Sequence, residues 1–177
     1  MKTAPVLRAA ALVCGVAGAT ALSATGASAQ QSNCMDLLAG MQNYSRLVNA
    51  TLMSAMQNEV RAMNNVTIFA PANDAVSRVD PNLASRIFPR DESGARTADP
   101  VLASAAIRTH IVQGRIPASA LVEGMRLVTL AGTPITINKQ GNATTISAAE
   151  GVTANITQPD MACANGVVHG INNVLIR

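Results

Sequence analysis

The chain carries two histidines, His110 and His169. An imidazole can act as a base, a metal ligand or a buried hydrogen-bonding group. His169 lies inside an apolar run, NGVVHGINNVLIR, from Asn165 to Arg177. In that setting its most economical role is a buried ring bonded to backbone or to a polar neighbour. His110 falls at the end of a predicted helix, where an imidazole can meet the last carbonyls. No third ligand is spaced to complete a metal site with either ring. The chain also lacks an H-E-x-x-H pair, a nucleophile elbow and a glycine-rich phosphate loop. We therefore expect no catalytic residue, no metal and no cofactor. A hydrolase pairing a histidine with a distant serine finds no support in any motif.

The cysteines are the next reactive group. Cys14 lies in the first 29 residues, which have a basic start at Lys2 and Arg8 and an apolar stretch from Ala9 to Leu22. The small residues Ala27-Ser28-Ala29 follow, the pattern of a secretory signal peptide cleaved after Ala29. Its short, Ala-rich form is of the kind bacteria use. The expected mature domain is residues 30–177, with no transmembrane segment after cleavage and a secreted or periplasmic destination. Cys34 and Cys163 remain. In an exported chain an even count invites a disulfide over two free thiols, and closing so long a loop would stabilise by roughly 4–5 kcal/mol. The two lack the paired spacing of a zinc site.

Charge and aromatic content exclude further classes. The formal net charge is +3, and Lys2 and Arg8 of the leader supply two of those charges. That leaves no basic footprint for nucleic acid or an acidic membrane. The aromatics are Tyr44, Phe69 and Phe88, too few for the stacking platforms that bind single strands. Five N-x-S/T sequons begin at Asn43, Asn49, Asn65, Asn142 and Asn155, and they read as polar surface.

The elements that must position these residues follow from periodicity. Leu37, Leu38, Met41, Tyr44, Val48 and Leu52 recur at helical steps, with a break expected near Asn43–Ser45. Met53, Met56, Val60 and Met63 continue with a shifted face as core gap-fillers. Val66 to Ala70 predicts a short strand stopped by Pro71. Asn73 is the expected N-cap of a helix running to Val79 and ended by Pro81. A short helix over Leu83–Phe88, a charged loop from Pro89 to Pro100 and a helix over Val101–His110 come next. Val112–Ile116 reads as an exit turn. From Arg126 the period becomes two, with a hairpin turn expected at Lys139–Asn142. Helices first and strands later predict an α+β fold.

Three stretches, taken together, resemble the fasciclin domain family. They are TIFAPANDAV with Thr67, Phe69, Pro71 and Asn73, IRTHIVQGRI around His110, and the closing NGVVHGINNVL with Gly166 and His169. Their order is the family's, and the β-rich stretch lies between the second and third. Ala72, Val76, Thr109, Gly170 and Asn172 depart from the usual Thr, Phe, Tyr, aliphatic residue and Asp. The resemblance implies a wedge-like β-sandwich flanked by N-terminal and inserted helices. It also implies a non-enzymatic adhesion domain that binds a protein or an extracellular-matrix component. The family's Tyr-His recognition segment falls on Thr109-His110, which lacks the tyrosine. The expected binding surface is therefore the charged loop, with Arg90, Asp91, Glu92, Arg96 and Asp99, and His110 as a further candidate. A carrier of small molecules or lipids would instead need an aliphatic pocket.

Overall fold

The computed structural model describes residues 31–87, 99–141 and 143–176. The expected leader, Phe88, and Arg90, Asp91, Glu92 and Arg96 of the charged loop lie outside the described residues.

The expected N-terminal stripe is divided among three short helices, α1 (Cys34–Ala39), α2 (Ser45–Met53) and α3 (Gln57–Ala62). Asn33 caps α1, its Oδ1 accepting from Met35 N at 3.1 Å. Gly40 and a 3-10 turn at Gln42–Tyr44 interrupt the run, and Ala55, with φ 56°, interrupts it again. These breaks rotate the faces. Leu47, Val48, Ala50 and Thr51 are buried, while Leu52 and Met53, expected in the core, are about half exposed.

Strand β1 (Val66–Pro71) is buried throughout and includes Pro71, which had been expected to stop it. Pairing with the strand on one side ends at Ile68, so the N–H that proline lacks leaves no rung of that ladder empty. Helix α4 (Asn73–Ser77) begins after Ala72, which makes no side-chain cap. The capping expectation for Asn73 is thus corrected. Its Oδ1 accepts from Arg46 N at 3.1 Å, and its Nδ2 donates to Gln42 O at 2.8 Å, so it serves the start of α2 instead. Pro81 opens α5 (Pro81–Ile87) at its first turn rather than closing α4, and Asp80 Oδ1 accepts from Asn82 N and Leu83 N. Helix α6 (Pro100–Thr109) follows.

The remaining strands are β2 (Ile111–Gln113), β3 (Arg126–Val128), β4 (Pro134–Gln140), β5 (Ala143–Ser147), β6 (Thr153–Cys163) and β7 (Gly166–Ile171). The segment expected as an exit turn therefore begins as β2. Gln140 pairs with Ala143 across the β4–β5 hairpin, so β4 runs on through Lys139 and Gln140 of the turn expected at Lys139–Asn142. The seven strands form one mixed sheet in the order β2-β1-β7-β6-β5-β4-β3. Only β1 and β7 run parallel, with Phe69 beside His169. The sheet curls until its edges meet, where Val112 bridges Thr129 and Leu130 N donates to Ile111 O at 2.8 Å. This closure gives the α+β, sandwich-like architecture and leaves two apolar cores. One lies between the helices and the β1–β7 half. The other, around Phe69, Leu121, Ile135, Ile137, Ile146 and Ile171, fills the inside of the curl. Each large aliphatic side chain so buried contributes about 1.5–3 kcal/mol.

Candidate functional site

The three motif stretches converge on one clamp inside the sheet. Thr67 Oγ1 donates to Gly114 O at 2.6 Å and accepts from Ile116 N at 2.9 Å. His169, beside Phe69 in the parallel register, is 0% exposed. Its Nδ1 accepts from Asp160 N at 3.1 Å, so the proton sits on Nε2, which donates to Ile116 O at 2.9 Å. Asp160 has φ 56°, a conformation that aspartate tolerates better than most residues, and its Oδ1 accepts from Ala118 N at 2.7 Å. Thr67, His169 and Asp160 thus hold the chain from Gly114 to Ala118 against the sheet. Phe69 stacks on the His169 ring with centroids 5.7 Å apart, and its own N–H donates to His110 O.

His110 occupies the C-terminal end of α6 and is 2% exposed. Its Nε2 accepts from Leu175 N at 2.9 Å, which fixes the proton on Nδ1, and Nδ1 donates to Ala106 O at 2.7 Å. Burial pushes its pKa down to about 4, against the weaker opposite pull of the Ala106 carbonyl. Both rings therefore spend both nitrogens on backbone groups. Neither offers a lone pair to a metal or a proton to a substrate, and the buried His110 ring presents no surface to a partner.

At the start of β7, Cys34 and Cys163 form a disulfide across 129 residues, with Cα atoms 4.9 Å apart. Asn165, a residue the sequence reading assigned no role, reinforces it. Its Oδ1 accepts from Cys34 N at 2.9 Å, and its Nδ2 donates to Val60 O and Met63 O. Gly166 has no alternative here, since a Cβ would lie 2.0 Å from Val66 O. A signal existed in the sequence, because an Asn-Gly step separates two β runs, and the turn falls on Ala164 and Asn165 with Gly166 opening β7.

The base of the charged loop is pinned. Asp99 N donates to Arg86 O at 2.8 Å, and the two side chains pair at 3.3 Å. Asp99 also caps α6 by accepting from Val101 N and Leu102 N. The Leu102 N–H first, then Val101 and Arg86, hold its carboxyl below the ordinary range. Its structural duty is thus a cap at the root of the loop.

Interior space is scarce among the described residues. A void lined by Met35, Leu47, Val60, Ile68 and His110 holds about 10 Å³, no more than one water requires. The larger spaces are open surface clefts. One of about 380 Å³ runs past Arg78, Leu83, Thr153 and Ile176, and one of about 250 Å³ lies by Lys139 and Pro159. No helix in the described residues is long and apolar enough to cross a membrane.

Comparison with known proteins agrees with this geometry. Residues 40–177 match the profile of the Fasciclin domain, and the chain belongs to that family. It is 25% identical over 82% of its length to the transforming growth factor-beta-induced protein ig-h3 of Sus scrofa, and 24% identical to that of Oryctolagus cuniculus. It spans 19% of the length of each. A Synechocystis protein, sll1483, is 25% identical over 80% of this chain and 72% of its own. In structure, the fold resembles a FAS1 domain pair from the insect cell adhesion molecule fasciclin I. The TM-score is 0.59 at 21% identity, covering 75% of this chain and 45% of that one.

Proposed function

We propose that this chain is an exported, non-catalytic fasciclin-like module that binds another protein or a matrix component at the cell surface or in the extracellular matrix. The observation that carries this reading is the state of the motif residues. Thr67, His110 and His169 are buried and spent on holding backbone, and Phe69 is buried against the His169 ring, so they build a scaffold rather than a reaction centre. Recognition then falls to exposed loops on that scaffold. The adhesion molecule whose domain pair shares the fold adds support. Export is supported by the leader pattern of residues 1–29 and by a disulfide, a bond that persists in oxidising compartments.

The favoured recognition element is the loop bearing Arg90, Asp91, Glu92 and Arg96, because its root is tied together by Arg86 and Asp99. Its mixed charges can orient a protein partner but do not suit a polyanion. The test replaces residues 91–98 by a Gly-Ser link and measures adhesion or partner capture by the exported protein. Capture should fall at least tenfold with an unchanged melt, and undiminished capture would remove the loop. Intact mass of the exported form should begin at Gln30, and turnover of any substrate by the wild type would sink the non-catalytic reading.

A further inference from the structure

Beyond Ile171 the chain leaves the sheet, and the segment from Asn172 to Ile176 makes no further strand pairing. One backbone bond and several side chains tether it instead. Asn172 N donates to Asn155 O, Asn172 Oδ1 accepts from Asn155 N, and Asn173 Nδ2 donates to Thr153 O. Val174 N is satisfied by the side chain of Asn173 beside it. Leu175 N is the one amide of this segment that reaches across the fold, to His110 Nε2. Val174 enters the helix-side core and Leu175 the core inside the curl, so this short segment plugs both.

We propose that His110 is an acid-sensitive latch, whose protonation releases residues 172–176 and uncovers the apolar surface they cover. The chemistry is a donor–acceptor conflict. Neutral His110 donates from Nδ1 to Ala106 and accepts at Nε2 from Leu175. A proton on Nε2 turns that acceptor into a donor facing a donor. Among the described side chains lining the void beside the ring, none carries a charge to compensate the new one. The void beside the ring is lined by Met35, Leu47, Val60, Ile68, Ile107 and Ile111 with Thr51, whose hydroxyl is spent on Val48 O. The charged groups of α1, α2, α3 and α6 are engaged with partners of their own. Arg61 pairs with Asp36, Arg108 with Glu59, and Arg46 donates to Ser77 Oγ. Arg78 and Asp80 face the segment itself, and they are engaged with Asn172 O and with the start of α5. Release would also join two clefts that share Leu83 and Ile176, one running to Val79 and Val152, the other to Ile87, Leu102 and Ala106.

The sign follows from linkage. The ring titrates at about 4 when latched and near 6.5 when released, so the released form binds more protons between those values. The latch is therefore fully engaged above pH 6.5 and weakens as pH falls toward 4. The opening equilibrium should rise about a hundredfold between pH 7 and pH 4.

Amide exchange of the whole mature protein tests this, with each rate normalised to its intrinsic value. Protection of the Leu175 amide should drop about a hundredfold from pH 7 to pH 4 and level off where nitrogen NMR shows the latched His110 ring itself titrating. Low urea should leave Leu175 exchange nearly unchanged while accelerating Ile137, because release exposes far less surface than unfolding. Constant Leu175 protection while His110 titrates would overturn the latch, as would a urea slope equal to that of Ile137. In His110→Gln, which keeps an uncharged hydrogen-bonding group, Leu175 protection should lose its pH dependence, and a persisting hundredfold drop would also refute the latch. Should that variant not fold, the wild-type pH and urea series decide the matter alone.

Discussion

The two ends of β7 are held by different kinds of bond. At the Gly166 end a disulfide, the three bonds of Asn165 and a backbone contact that admits no Cβ fix the turn. At the Ile171 end a short segment is tethered by amide side chains and by one imidazole acceptor. The first set contains no group that titrates near neutral pH, whereas the second depends on the protonation of His110. One strand thus joins a permanent anchor to a conditional one, and His169 sits between them.

The largest expected effect breaks the permanent anchor. Replacing both Cys34 and Cys163 with serine should cost roughly 2–5 kcal/mol in urea melts. Because no proton is involved, the loss should be the same at pH 7 and pH 5; a loss that grows with acid would erase the distinction between the two ends. Next comes the middle of the strand. His169→Ala strands Ile116 O and Asp160 N and removes the stack on Phe69, so it should cost about 1–3 kcal/mol while leaving partner capture intact. An unchanged melt with lost capture would make His169 a recognition residue instead. The smallest effect is a gain. Ala72 donates to Ile171 O and stands at the N-cap of α4 with no side chain to cap it. Ala72→Thr should add about 1 kcal/mol, and a lowered melting midpoint would show that the hydroxyl cannot reach the first turn.

The departures from the family pattern have local physical reasons. Gly170 replaces an aliphatic residue because the Tyr44 hydroxyl occupies its place; a Cβ there would lie 2.2 Å from that oxygen. The hydroxyl donates to Gln158 Oε1, and burial pushes its pKa up. Asn172 supplies the acceptor for Asn155 N that the usual aspartate would also offer. Thr109 turns its hydroxyl back to Ala105 O and stays buried, so this position carries no exposed anchor.

Order and type of element were legible in particular runs. Val66 to Ala70 is a short β-rich run that forms a strand, and Ile135 to Ile146 folds as a hairpin about a glycine turn. The break expected near Asn43–Ser45 falls at the 3-10 turn Gln42–Tyr44, but Gly40 and Ala55 turn the chain as well, so Leu52 and Met53 pass to the surface. Asn73 was misread because cap residues are recognised by sequence neighbours, and its partners lie some thirty residues back, at Gln42 and Arg46.

The sequence alone determined the family, the α+β class and the burial of a histidine flanked by valines and glycine, since these rest on residue type and local period. Only the tertiary structure decided which backbone groups each imidazole meets. Those partners, Ile116 and Asp160 for one ring, Ala106 and Leu175 for the other, are brought together by the curl of the sheet. Of the four, Ile116 and Leu175 lie 53 and 65 residues from the ring they hold, and a hydrogen bond across such a distance leaves no periodic trace in the chain.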